Sequence, residues 1–351
     1  MSEDTRRDTG IRLPRLDVQS TGIFGAAILI FVVFGVLNSN FLTFSNLRDV
    51  AISASINAII GIGLTFVIIT GGIDLSVGSI ASFVGVVAAS LMVYLEWPPV
   101  LVLVLAIVLG LLCGVLNGVL ITKLRLPPFI ATLGTMSVFQ GAAYVVTNGI
   151  PVYNIPKSFS IMLSSYISGI PVVVIIVLVL GVLAWALLRR TLFGQNVIAV
   201  GGSEETAWLS GIRVDLVKIG VYALSGGLAA LAGLVLIARI DAAQTSGGSP
   251  YLLTAIAAAV IGGANLMGGE GRISGTIVGA LILGALTNGL VLLNVPSFYE
   301  QIVTGTVVIL AVALDQGAKE WSMLRRASQR PDPDSVEPET PPGERREAEV
   351  T

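Results

Sequence analysis

The chain has 351 residues, of which 54% are hydrophobic and 12% charged, with 40 glycines and a mean hydropathy of +0.89. That composition excludes a soluble domain of this length and reads as an integral membrane protein. The formal charge of -2 says little by itself, because in a membrane protein the position of each charge matters more than the sum.

Histidine is absent, which removes the commonest general base, metal ligand and proton relay. The single cysteine, Cys113, lies in an apolar run, so no intrachain disulfide and no metal site is expected.

Met1 to Thr21 carries Arg6, Arg7, Arg12 and Arg15 among acidic residues. No small-residue cleavage site follows the first apolar run, so residues 1–21 read as a cytoplasmic tail ahead of a signal-anchor. Apolar segments of the length a bilayer needs then recur at Gly22–Leu37, Val50–Ile69, Val77–Tyr94, Val100–Thr122, Phe129–Val146, Ile170–Leu188, Ile219–Ile237, Leu252–Met267, Ile273–Leu293 and Ile302–Leu314. The expected fold is therefore all-α, a polytopic membrane protein with about ten transmembrane helices in a permease domain over residues 22–318.

With the N-terminus inside, only Arg48, Lys157 and Arg239 among the 20 basic residues fall outside, so both termini are expected in the cytoplasm. Residues 319–351, rich in Pro, Glu and Arg, read as a disordered cytoplasmic tail.

The two halves echo each other at an offset of about 170 residues. Gly114, Asn117-Gly118, Pro127-Pro128-Phe129 and Gly134-Thr135 recur as Gly284, Asn288-Gly289, Pro296-Ser297-Phe298 and Gly305-Thr306. The expected topology runs the fourth span inward and the ninth outward, so the repeat would be inverted. That arrangement implies a pathway between the halves and a transport function.

Within the spans the sequence places no Asp, Glu, Lys or Arg near mid-membrane, which argues against coupling to protons or sodium. The neutral polar residues Asn57, Thr65, Asn117, Thr135, Gln140 and Asn288 are candidates for a translocation pathway, or else they tie helices together. Gly110, Gly114 and Gly118 recur every four residues and predict close helix packing.

The turn Thr70–Ser79, TGGIDLSVGS, sets Asp74 and Ser76 at the expected cytoplasmic end of a span, where Asp74 reads as an N-cap. Gly262–Arg272, GGANLMGGEGR, reads as a tight cytoplasmic turn, and no P-loop occurs. Energy from ATP would have to come from a partner. The stretch Arg189–Arg213 is a long amphiphilic interruption; Ser203-Glu204-Glu205 within it has the form of a helix start, with acid near the positive end of the dipole.

Five pieces occur in a recognisable order: GGIDLSVGS at Gly71–Ser79, PPFIATLGT at Pro127–Thr135, TNGIPV at Thr147–Val152, GGSEETAWLSGI at Gly201–Ile212 and AIAAAVIGGANLMGGEGRISGT at Ala255–Thr276. Together they resemble the ribose-type permease family of ATP-binding cassette importers. The resemblance implies a permease subunit in the cytoplasmic (inner) membrane, without an ATPase site or catalytic residues of its own, that imports a monosaccharide such as ribose, xylose or galactose.

It implies three partners: a double-cassette ATP-binding subunit that holds ATP and magnesium, an extracytoplasmic sugar-binding protein, and a second permease chain, identical or related. This chain would bind no cofactor and no nucleic acid. The resemblance places the ATPase-coupling helix on Gly201, Gly202, Glu204, Glu205, Ala207, Ser210 and Gly211, within a cytoplasmic loop at 189–216. The family's motif turn falls on Gly71, Gly72, Asp74, Ser76 and Gly78.

Gln195, Ser203 and Trp208 depart from the Arg, Asn and Arg common there; docking survives such changes, but the identity of the partner ATPase and any salt bridge through that Arg do not carry over from the resemblance. A permease of the same architecture for nucleosides or branched-chain amino acids, and an ATP-independent facilitator, are the competing expectations.

Overall fold

The computed structural model describes residues 18–296, 298–307, 309, 310 and 313. The chain divides into one unit over Met1–Ile309 and a second over Leu310–Thr351, of which only residues 310 and 313 are described. Residues 1–17 of the tail expected at 1–21, the tail expected at 319–351 and part of the tenth span lie outside the described residues; residues 18–21 are not tail but the first turn of a helix.

Twelve helices order the first unit: α1 Val18–Leu37, α2 Phe44–Ile69, α3 Val77–Val93, α4 Pro99–Lys123, α5 Pro128–Thr147, α6 Lys157–Ser164, α7 Val172–Arg190, α8 Leu192–Gly202, α9 Glu204–Leu209, α10 Val214–Ile240, α11 Tyr251–Ile261 and α12 Ile273–Leu292. Residues 298–307 are also helical, apart from these. Two antiparallel pairs of two-residue strands complete the unit. In one, β1 (Val152–Tyr153) pairs with β4 (Ala242–Ala243); in the other, β2 (Tyr166–Ile167) pairs with β3 (Ile170–Pro171).

Among the described residues, six helices, α2, α4, α5, α7, α10 and α12, are long and apolar enough to cross a membrane, and three shorter apolar runs lie at Gly22–Leu37, α3 and α11. Each of the first nine expected spans thus falls on a helix among the described residues, six of crossing length and three shorter. The 11 residues of α11 fall short of the roughly 20 that a full crossing needs, and the 17 of α3 sit at the lower limit. The eighth segment, expected to run to Met267, stops at Ile261 because Gly263, Gly268 and Gly269 take positive φ and turn the chain back.

Local chemistry accounts for the ends. The Thr43 hydroxyl accepts the Asn46 amide to start α2. In Pro98-Pro99 and Pro127-Pro128 the second proline opens α4 and α5, where its missing N–H costs nothing. Asn148, at φ 51°, ends α5 in the left-handed region.

Burial separates the centre from the periphery. The most apolar windows of α2 and α10 are 89% and 83% buried, whereas those of α4, α5 and α7 are 28% buried. The latter three therefore present apolar side chains outward, as helices in contact with lipid do.

The helix α4 lies along α10 through its glycine face, as the spacing predicted. A Cβ at Gly114 would collide with the Tyr222 carbonyl, and one at Gly110 with Gly226 and Ala230. Likewise α12 approaches α2 where Gly284 meets Ala54.

One end of the bundle carries α8, α9 and the turn 262–272. There Lys123 pairs with Asp215 at 2.7 Å, and the Gly269 amide donates to the Ile69 carbonyl at 2.8 Å. The opposite end carries the β1–β4 pair and the bond from Asn38 Nδ2 to the Leu292 carbonyl, 3.1 Å.

Candidate functional site

The sequence TGGIDLSVGS breaks the chain between α2 and α3 for a physical reason. Gly71, at φ 71°, turns the backbone out of α2, and residues 72–76 run without helix until α3 begins. This segment enters the protein interior: Asp74 and Ser76 have no exposed surface.

The Asp74 carboxylate accepts the Ser76 amide at 3.0 Å and the Ser76 hydroxyl at 2.6 Å through one oxygen, and the Ser225 hydroxyl at 2.9 Å through the other. Ser76 Oγ accepts from Asn117 Nδ2 at 2.7 Å, and Asn117 Oδ1 accepts from Thr135 Oγ1 at 2.6 Å. The hydroxyls of Thr132 and Tyr222 donate to the Ile73 carbonyl at 3.2 and 3.3 Å. Each oxygen of the buried Asp74 side chain has a hydrogen-bond partner, and the network ties the break to α4, α5 and α10 at once.

Two expectations need correction. Asp74 does not sit at the end of the bundle: its partner Ser225 lies near the middle of the 27-residue α10. The spans read as free of acid at mid-depth because the sequence cannot show that 72–76 folds back inside.

Nor is Asp74 an N-cap. The N-cap of α3 is Ser76, which makes no side-chain cap bond, and Asp74 instead closes a turn onto the amide two residues on.

The neutral candidates do not form one cluster. Asn117 and Thr135 join the Asp74 network; Asn57 Oδ1 accepts from Thr254 at 2.6 Å; the hydroxyls of Thr65 and Thr276 lie 2.6 Å apart. Gln140 Nε2 donates to the Thr245 carbonyl at 2.7 Å. Asn288 Oδ1 is buried and has no hydrogen-bond partner among the described residues.

The segment 189–213 forms two short helices. Thr191 caps α8 by accepting the Gly194 amide at 3.2 Å, and Ser203 caps α9 by accepting the Thr206 amide at 3.2 Å, as the Ser-Glu-Glu start predicted. Gly201 and Gly202 end α8, while Glu204, Glu205 and Ala207 belong to α9. Ser210 follows α9 as its C-cap, and Gly211 takes φ 84°.

Gly201 packs so closely on the Ile69 carbonyl that no Cβ fits, and Gly202 faces open space. Lys218 pairs with Glu204 at 2.6 Å. Ala207 is buried, but Trp208 is 67% and Leu209 70% exposed, an apolar face that α9 leaves uncovered.

Sequence reasoning missed Ser225 and Ser79. Ser225 sits in Ser225-Gly226-Gly227, a small polar group beside two glycines in an apolar run, which is the signal that could have found it.

A family described as "Branched-chain amino acid transport system / permease component" matches residues 46–312. The ribose import permease protein RbsC of Bacillus subtilis (strain 168) is 43% identical over 301 residues, 85% of this chain and 93% of that protein. The D-allose transport system permease protein AlsC of Escherichia coli (strain K12) is 38% identical, covering 84% of this chain and 91% of its own. The xylose transport system permease protein XylH of Escherichia coli (strain K12) is 32% identical, covering 88% and 95%. No solved structure matches the chain. The match over most of the membrane region, on a bundle whose family motifs form its buried break and its paired short helices, makes this chain a member of the branched-chain amino acid transport system / permease component family.

Proposed function

We propose that this chain is the membrane-spanning permease subunit of an ATP-driven importer of a monosaccharide, working with a separate double-cassette ATPase, an extracytoplasmic binding protein and a second permease chain. One observation carries the mechanism: exposed α9 follows α8 after the single extended residue Ser203, and Gly201 of α8 rests on the carbonyl of Ile69, the last residue of α2. A partner gripping Trp208 and Leu209 would move α8 against the end of α2 and so shift the segment that carries Asp74. Closure of the ATPase can drive this only if its contacts with 201–212 differ between the two states.

The sequence has no P-loop, so ATP binding and hydrolysis are assigned to the partner. Orientation with α8 and α9 in the cytoplasm is supported by Lys123, Arg125, Arg189, Arg190, Arg213, Lys218 and Arg272, which gather toward that end. The inner membrane is the matching location.

An inverted repeat at an offset of about 170 residues is supported by the elements themselves. On that offset α2 corresponds to α10, α3 to α11 and α4 to α12. The contact of Gly114 with Tyr222 and Ala223 corresponds to that of Gly284 with Ala54.

The monosaccharide is favoured by the relatives' names, ribose, allose and xylose. A branched-chain amino acid is the second reading, favoured by the family's description.

The test is to tag the chain, extract it in mild detergent and identify what copurifies. Recovery of a two-cassette ATPase, lost when 201–212 is scrambled, is the expected result. A chain that purifies alone and passes sugar into liposomes without ATP would overturn the proposal.

A further inference from the structure

The breaks before α3 and α11 meet. Gly78, in the first turn of α3, and Gly248, just before α11, stand about 170 residues apart, the separation of the repeat. They pack backbone to backbone, and the Gly248 amide donates to Ser82 Oγ at 2.8 Å. Two short helices, each preceded by a non-helical stretch and placed at corresponding positions of the two halves, thus begin beside one another. In transporters built from repeats, that geometry marks the solute site.

A cavity of about 250 Å³ opens at this junction. Leu75, Met136 and Leu252 supply apolar walls; Ser79, Ser137, Gln140 and Ser249 supply the polar groups. No Asp, Glu, Lys or Arg lines it.

Ser79 Oγ donates to the Ser76 carbonyl at 2.8 Å, and Gln140 Nε2 donates to the Thr245 carbonyl at 2.7 Å. Both side chains are thereby held in place while their oxygens stay able to accept. Ser137 and Ser249 are exposed and form the mouth.

We infer that this cavity is the chain's transmembrane holding site for one neutral monosaccharide, its hydroxyls bonding to Gln140, Ser79 and the mouth serines and its C–H face lying on Leu75 and Met136. The inference rests on the importer reading above. Apolar walls with a few fixed polar groups suit a polyol, and the volume falls below the roughly 300 to 1,000 Å³ typical of sites for drug-sized ligands. An amino acid would bring an ammonium into a space whose lining offers no carboxylate to pair it, at a cost of several kcal/mol. Few and neutral contacts also keep binding weak enough for release.

The test uses the full importer, with its ATPase and binding protein, in proteoliposomes supplied with radiolabelled D-ribose, D-allose or D-xylose. Ser137→Trp fills the mouth from an exposed position; it should copurify with the ATPase at wild-type yield and bring uptake to background. Gln140→Leu should slow uptake about two- to tenfold, the worth of one hydrogen bond. A Ser137→Cys thiol, in a chain also carrying Cys113→Ala, should react with N-ethylmaleimide and be protected by the transported sugar but not by L-leucine.

Wild-type uptake with Ser137→Trp equally active, or a thiol that the sugar does not protect, overturns the site while leaving the importer reading intact. A wild-type assembly that takes up none of the three sugars overturns that reading, and protection by L-leucine assigns the cavity to an amino acid instead.

Discussion

Asn117 Nδ2 donates to Ser76 Oγ at 2.7 Å, and that hydroxyl donates in turn to the Asp74 carboxylate at 2.6 Å. An asparagine on the apolar helix α4 thus holds the residue at the start of α3, the helix before it in the chain. The bond from Ser225 closes the same carboxylate from α10. The helices α4, α5 and α10 each contribute a donor to the break, which fixes its shape.

Removing the carboxylate should therefore be costly. Asp74→Leu leaves the Ser76 amide and the hydroxyls of Ser76 and Ser225 without their acceptor, a loss of about 3 kcal/mol or more. Asp74→Asn keeps one oxygen and should lose about 1 to 2 kcal/mol. Thermal unfolding of the purified chain in detergent measures both; a Leu variant that melts with the wild type would show that the network contributes nothing to stability.

The α4–α10 contact predicts a sharp contrast between glycines. At Gly114 a side chain meets the Tyr222 backbone, so Gly114→Val should destabilise by about 1 to 3 kcal/mol or more. Gly134, in α5, has nothing within 4 Å of an added Cβ, so Gly134→Ala should be neutral or stabilise by up to about 1 kcal/mol. The same melting series reads both, and equal effects would argue against the close approach.

Gly201 and Gly202 should separate likewise, with transport as the readout. Gly201→Val has no room against the Ile69 carbonyl and should uncouple ATP hydrolysis from uptake by pushing α8 away from α2. Gly202→Ala meets only open space and should import normally, whereas Gly202→Lys or Glu205→Lys places a bulky charge where the ATPase is proposed to dock. Coupled transport in the Gly201→Val chain would remove α8 from the transmission path.

On α9, Trp208→Ala takes away a side chain that is 67% exposed and should change stability by less than about 0.5 kcal/mol. Exposed tryptophans at interfaces often dominate binding, so the same change should weaken recovery of the ATPase by about 2 kcal/mol or more. Quantitative copurification checks this, and full recovery would place the docking contact elsewhere. Glu204→Gln breaks an ion pair with Lys218 whose acid is 60% exposed, and it should alter stability by no more than about 1 kcal/mol.

Much of this was legible in the residues. Apolar run lengths located the long helices, and Gly110, Gly114 and Gly118 the face on which α4 packs. Ser203 with two glutamates announced the start of α9. These features depend on neighbours within a turn or two of helix, and a linear sequence displays such neighbours directly.

What the sequence by itself determined is the class of the protein, its helical elements and the family motifs. Only the tertiary structure decided that residues 72–76 turn into the interior and that Asp74 is satisfied by Ser225, a residue 151 positions away. It likewise decided that Gly78 rests on Gly248 and that Gln140, rather than Asn57 or Thr65, borders an open cavity. The physical reason is that burial and hydrogen-bond pairing of a polar side chain depend on which distant segments fold around it. A broken helix and a short loop share the same local composition until those segments are in place.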